Sequence, residues 1–108
     1  GMLRVHTLDE LFTAAEILAT TRLPAGDRLA IVSNGGGIGI MATDALAYMG
    51  GRLAQLAPET IAALDKALPA NWSHGNPVDI IGDAPPERYE AALAPLLQDP
   101  GVDAVLAL

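Results

Sequence analysis

A chain of 108 residues with six basic and thirteen acidic side chains has a net charge of −7. It therefore lacks the basic footprint that nucleic acids and anionic membranes require. The absence of cysteine excludes disulfides, thiolate catalysis and cysteine-based zinc sites.

Hydrophobic residues reach 51 % but aromatic ones only 4 %. A core of Leu, Ile, Val and Ala in thin layers suits helices on a parallel sheet better than a β-sandwich. The length allows one domain at most. No apolar run reaches the ~18 residues of a membrane span, and no signal peptide is visible, so a cytoplasmic setting is expected. Gly1 before Met2 reads as a remnant of tag removal.

Thr7-Leu8-Asp9-Glu10 forms a capping box. Leu8, Leu11, Phe12, Ala15, Leu18 and Ala19 follow with helical spacing, predicting a packing helix to about Thr20. Residues 1–25 thus read as a leading helix and linker, and 26–108 as an α/β domain. Arg28 to Val32 is the first core strand, and Ile38 to Met49 is a helix ended by Gly50-Gly51. Arg52 to Leu56 reads as a second strand, and Pro58 opens a helix that Pro69 closes after Leu68. Asn71 to Asn76 is a loop and Pro77 to Ile81 a short extended segment. Asp83 is placed to cap a helix that reaches Gln98, with a kink or early stop at Pro95. Asp99-Pro100-Gly101 turns the chain into an apolar terminal strand, Val102 to Leu108. This alternation predicts a parallel sheet with helices on both faces.

Between the first strand and its helix lies Ser33-Asn34-Gly35-Gly36-Gly37-Ile38-Gly39. A strand, a glycine turn and a helix start make an anion site, because the first N–H groups of a helix have no intrahelical partner. The alternative is a tight turn with no ligand. As a dinucleotide fingerprint the turn is poor: Gly35-x-Gly37 fits, but Ile40 holds the third glycine position, and Glu59 is the nearest acid. A Walker A loop is excluded, since no Lys-Ser/Thr follows. A phosphate-sized cradle remains, with Asn34, Gly35, Gly36, Gly37 and Ile38 as its binding residues.

Asn76-Pro77-Val78-Asp79 is the second constellation, with Asn76 and Asp79 in supporting roles. Asp79 would accept bonds from the glycine amides or Thr43; a purely structural Asx turn is the competing reading. His6 precedes the first helix, and His74 adjoins the second constellation, within reach of the same pocket, where acting as a base would require an orienting partner. Two such histidines make no metal site. Glu87 and Glu90 read as solvated helix residues, and no catalytic residue is assigned.

The run Val32 to Asp44, the segment Asn76-Pro77-Val78-Asp79-Ile80-Ile81-Gly82-Asp83-Ala84 and the later Asp99-Pro100-Gly101-Val102-Asp103-Ala104 together resemble a known domain. It is the carboxy-terminal domain of the succinyl-CoA synthetase β subunit and, more closely, its equivalent in NDP-forming acyl-CoA synthetases of the ADP-forming acetyl-CoA synthetase group. Val5 to Phe12 resembles the segment joining it to a preceding domain. The resemblance implies a flavodoxin-like, succinyl-CoA synthetase-like fold that is truncated at its C-terminal end. It also implies an acid–thiol ligase using CoA and ATP/ADP with Mg, in which a phosphohistidine moves between a CoA-binding site and an ATP-grasp site. By resemblance, residues 34–38 match the turn that cradles that phosphate. Neither His6 nor His74 lies in a motif like the nucleophile segment, so the chain alone is expected to be inactive and to bind none of these cofactors. The same domain occurs in synthetase-like protein lysine acetyltransferases, which makes a regulatory or interaction domain the alternative. The uncovered terminal strand invites pairing with another chain, including a second copy.

Overall fold

The computed structural model describes residues 4–20 and 23–108; Gly1 and the reading placed on it lie outside them. The first helix, α1 (Leu8–Thr20), starts at the expected capping box. The Glu10 N–H donates to Thr7 Oγ1 at 3.1 Å, and Glu10 Oε2 accepts from the Thr7 N–H at 3.3 Å. None of its residues is buried, and Leu8 and Phe12 are 72 % and 69 % exposed.

The remainder alternates strand and helix: β1 (Arg28–Ser33), α2 (Gly36–Tyr48), β2 (Arg52–Leu53), α3 (Pro58–Ala67), β3 (Val78–Asp79), α4 (Pro86–Gln98) and β4 (Ala104–Ala107). All pairings are parallel and all involve β1. The edge assignments follow from the carbonyls. Asp27, Leu29 and Ser33 accept from Arg52, Ala54 and Ile80, whereas Arg28 and Val32 accept from Asp103 and Leu108. Odd residues point to one edge and even residues to the other. β2 and β3 therefore share one edge of β1 end to end, and β4 takes the opposite edge.

Between β2 and β3 that shared edge would carry a hole, which the Asn76 side chain closes. Its Oδ1 accepts the Ile31 N–H at 2.9 Å, and its Nδ2 donates to the carbonyls of Leu29 (3.0 Å) and Ala54 (2.9 Å). One amide thus stands in for a strand residue. This explains why β2 and β3 are shorter than the sequence predicts: the segment around Ala54 bonds to a side chain rather than a ladder.

β1 sorts its side chains by parity. Ala30 and Val32 join Leu64 of α3, Leu68 just after it, Trp72, Val78, Ile80, and Ala92 and Leu96 of α4 in one core. Ile31 and Ser33 are equally buried and lie on the other face, where Ser33 meets α2. The prediction of helices on both faces of a parallel sheet is correct.

Local departures have local causes. α2 begins at Gly36 rather than Ile38, so two glycines open its first turn. It closes at Gly50 (φ 78°), with N–H bonds from Gly50 to Ala47 O and from Gly51 to Leu46 O, a Schellman arrangement. Asp83 does not cap α4. It has φ 56°, and Pro85 is the N-cap ahead of Pro86, whose missing N–H costs nothing at a helix start. Nor does Pro95 stop α4, which continues to Gln98 with Leu96 locked into the core.

At the far end of the sheet, Arg28 forms a two-pronged ion pair with Asp103 (2.7 and 2.8 Å), and the Arg28 N–H also reaches Asp103 Oδ2 at 3.0 Å. The Arg28 guanidinium holds the Asp103 carboxyl at about 2, below its ordinary 3.8. Because this pKa is depressed in the folded state, its stabilisation is complete above about pH 4. It should fade as pH falls from about 4 through about 2. Acid titration of the folding free energy should therefore lose part of its slope in that window in Asp103→Asn.

Replacing Asn76 by Ala should lower stability by about 2–4 kcal/mol, since the Ile31 N–H and Ala54 carbonyl are left unpaired at buried positions. Urea unfolding measures this, and a change under about 1 kcal/mol would contradict the role given to Asn76.

Candidate functional site

The C-terminal ends of β1 and β3 lie side by side, in register through Val32–Val78 and Ser33–Asp79. In open parallel sheets, ligands collect beyond such strand ends. Three parts meet here: the turn Asn34-Gly35, the first turn of α2, and the loop Ile80–Asp83.

The N-cap Gly35 is extended (φ −167°, ψ 125°), with no side-chain cap and no acidic residue in the first turn of α2. The Gly39 N–H reaches Gly35 O at 3.4 Å, and Ser33 Oγ donates to the same carbonyl at 3.0 Å. Among the described residues, the N–H groups of Gly36, Gly37 and Ile38 have no protein acceptor. These three donors stand at the positive end of a 13-residue helix.

The glycines divide by neighbourhood. A Cβ on Gly39 would lie 2.9 Å from Ser33 Oγ and 3.2 Å from Pro77 Cβ, so Gly39 lets α2 approach the sheet. A Cβ on Gly36 would lie 3.1 Å from Asp79 Oδ2. Cβ atoms on Gly35 or Gly37 would meet nothing within 4 Å, and neither residue has a positive φ. The fold thus needs glycine at 39 and crowds it at 36, but imposes no such need at 35 and 37.

The structure brings Asn34, Gly35, Gly36, Gly37, Ile38 and Asp79 to one place and separates Asn76 from them by function. Asn34 is exposed at the mouth of the turn. Asn76 spends its amide on the sheet, as described above. Asp79 bonds to neither the glycine amides nor Thr43, contrary to expectation. Its Oδ1 accepts the Ile81 N–H at 2.9 Å, its own N–H donates to Ser73 Oγ at 2.9 Å, and Thr43 Oγ1 donates back to Gly39 O. The Asx turn and the approach to α2 are therefore both realised, by different oxygens of one carboxylate.

Sequence reading missed the loop that holds Asp79. Ile81 has φ 67°, unfavourable for a β-branched side chain, and Asp83 has φ 56°. Arg88 Nη1 donates to the carbonyls of Ile80 (3.2 Å) and Ile81 (3.3 Å), fastening the loop from α4. Nothing in an Ile or an isolated Arg announces such a role. Its nearest signal is the Asp79-x-Ile81 spacing of an Asx turn.

His74 lies elsewhere. Its Nδ1 meets Asp65 Oδ1 at 2.8 Å, its Nε2 meets Ala70 O at 3.0 Å, and its ring lies 4.9 Å from that of Trp72. Asp65 also accepts from Trp72 Nε1 at 2.9 Å. The Trp72 bond, then the His74 bond, hold its carboxyl below the usual value. This cluster pins the loop after α3, and both imidazole nitrogens are engaged in it. The His6 N–H donates to Glu10 Oε2 at the head of α1. Among the described residues, no three His, Cys, Asp or Glu side chains converge as metal ligands. A groove of about 750 Å³ along α1 and one of about 330 Å³ between α3 and α4 are lined by no residue of the glycine turn. No helix among the described residues is long and apolar enough to cross a membrane.

The chain is similar to known proteins over its whole length. The whole chain is 44 % identical to the ADP-forming acetate–CoA ligase I of Archaeoglobus fulgidus, of which it spans 16 %. It is 40 % identical to the α subunit of ADP-forming acetate–CoA ligase II of Pyrococcus furiosus, spanning 23 %. The dinucleotide-forming acetyl-coenzyme A synthetase 1 of Ca. Korarchaeum cryptofilum, solved in complex with phosphate and ADP, superposes with a TM-score of 0.86 at 32 % identity. That match covers 98 % of this chain and 23 % of the other. These relatives are ligases, and the acetyltransferase alternative finds no support among them. Residues 29–108 match the Ligase-CoA domain model, and on that match, together with these full-length identities, the chain belongs to the Ligase-CoA domain family.

Proposed function

We propose that this chain is the part of an ADP-forming acyl-CoA synthetase that receives a phosphoryl group carried on a histidine of another domain. The N–H groups of Gly36, Gly37 and Ile38 bind its oxygens, and Asn34 and Gly35 shape the approach. The observation that carries the reading is the open space at Gly35 and Gly37, where the fold has no need of glycine. A methyl group there would stand on the path of an incoming anion and touch nothing of the protein.

The chemistry suits backbone donors. During phosphoryl transfer, negative charge spreads over the three non-bridging oxygens, and preorganised N–H groups stabilise it without reorganising. The nucleophilic histidine must come from elsewhere, because His74 is tied to Asp65 and Ala70, and His6 sits beside α1. CoA, ADP or ATP, and the accompanying Mg belong in this reading to other domains, in an intracellular setting where those substrates are found. The share of the relatives spanned by this chain, 16 % and 23 %, agrees with that division of labour. The outer face of α2 agrees too. Ile40, Met41, Tyr48 and Met49 are 60 to 94 % exposed, a surface suited to contact with the rest of an enzyme.

Gly37→Ala separates this reading from a purely structural one. At a helix position with free space, alanine should leave stability unchanged or raise it by up to about 1 kcal/mol. Gly39→Ala should lose about 1–3 kcal/mol through its clash with Ser33 and Pro77. In an intact synthetase containing this segment, Gly37→Ala should slow histidine phosphorylation by about tenfold or more. Thermal melting and radiolabelled phosphorylation measure the two effects. A stable Gly37→Ala enzyme with normal phosphorylation would favour a non-catalytic interaction domain.

A further inference from the structure

We propose that Asn34 is a site of spontaneous deamidation, and that its conversion to a carboxylate closes the mouth of the glycine turn to an incoming phosphoryl group. The covalent step rests on the geometry of the turn itself. Its effect on catalysis rests on the phosphate-cradle reading above.

Deamidation of an asparagine needs a free side-chain amide, a following backbone nitrogen able to attack it, and room for a five-membered ring. The asparagines of this chain, at positions 34, 71 and 76, differ in all of these respects. Asn76 precedes Pro77, which has no N–H, and its amide is committed to the Leu29, Ile31 and Ala54 backbones. Asn71 precedes Trp72, whose N–H donates to Pro69 O at 2.9 Å and whose bulky side chain is buried. Asn34 precedes Gly35 and is exposed. Among the described residues, neither the Asn34 side-chain amide nor the Gly35 N–H has a protein partner. Nothing lies within 4 Å of the position a Gly35 Cβ would take, so the ring has room to form. Gly35 is also the N-cap of α2, and the positive end of that helix favours loss of the N–H proton.

The step balances with water as the only co-reactant. The Gly35 nitrogen gives its proton to solvent and attacks Asn34 Cγ. The bond from Cγ to Nδ2 breaks, and ammonia leaves. One water then opens the succinimide. Opening at Cγ gives aspartate, whereas opening at the main-chain carbonyl gives isoaspartate, with the backbone rerouted through the side chain. Either product adds a negative charge beside Gly35, at the approach to the Gly36, Gly37 and Ile38 amides. Asp79 Oδ2 already stands 3.1 Å from the position of a Gly36 Cβ, so the new charge adds to one of the same sign. Phosphoryl oxygens would be repelled there. A carboxylate near a helix N-terminus does not weaken the fold, so the aspartate product silences the site in a domain that stays folded.

The test incubates an intact synthetase containing this segment at mildly alkaline pH and follows each asparagine by peptide mass spectrometry. The Asn34 peptide should gain the mass of an amide-to-carboxyl exchange about tenfold or more faster than the Asn71 peptide, as an aspartate and isoaspartate pair. Histidine phosphorylation from ATP should fall in proportion to the unmodified Asn34 that remains. Asn34→Gln, whose longer side chain would have to close a six-membered ring, should keep its own starting level of phosphorylation over the same incubation. Freshly prepared Asn34→Asp should melt like the parent enzyme but be phosphorylated about tenfold or more slowly. Equal conversion at Asn34 and Asn71 overturns the covalent step, and an equal loss of phosphorylation in Asn34→Gln overturns its link to catalysis. Normal phosphorylation of the deamidated enzyme overturns that link too, provided Gly37→Ala is slowed. If Gly37→Ala is also normal, the failure belongs to the cradle reading, and the conversion at Asn34 stands or falls on the peptide masses.

Discussion

β1 pairs with two short strands on a single edge, and the gap between them is spanned by the amide of Asn76. Much else depends on that bridge. It sets where β3 begins, and hence that Asp79 stands opposite Ser33 at the strand ends. It places Pro77 against Gly39, which determines how closely α2 can lie on the sheet. A side-chain amide does this well because it offers one acceptor and two donors in a plane, the same complement that a peptide edge presents. All three are used, so the polar requirement of a buried sheet edge is met without a continuous strand.

The region beyond the strand ends is built on a different principle. The sheet buries and pairs its polar groups, whereas α2 begins with three N–H groups that have no protein partner among the described residues. The loop after β3 tolerates a left-handed isoleucine close by. Local rules are broken here while the neighbouring core obeys them, a pattern associated with functional sites. The stabilising contacts that fasten the region come from outside it: Ser33 Oγ on Gly35, Ser73 Oγ on the Asp79 N–H, and Arg88 on the loop carbonyls.

Much of this fold was legible beforehand because its signals are local. The Thr7–Glu10 capping box and Pro58 each mark a helix start through groups within one turn. Gly50 marks the end of α2 in the same way. The strand–glycine–helix order at residues 29–39 located the unpaired helix-end amides for the same reason, since such amides need no distant partner to be free. Where local signals competed, the outcome was harder to read. Asp83 had the chemistry of a cap, but the two prolines after it set the helix start instead. Pro95 removes a bond from α4, but the burial of Ala92 and Leu96 on either side holds the helix through it.

The sequence by itself determined the alternation of elements, the parallel sheet with helices on both faces, and the glycine turn that leads from β1 into α2. Periodicity, capping and turn chemistry are properties of neighbouring residues. Only the tertiary structure decided what Asn76 and Asp79 do. Asn76 is committed to the Leu29, Ile31 and Ala54 backbones, 22 to 47 residues away in the chain. Asp79 is aimed at α2 by a loop that Arg88 holds. Both are short polar side chains in one four-residue motif, and their own chemistry suits either a ligand or a backbone. Which of these each one meets depends on the strands and helices folded against it.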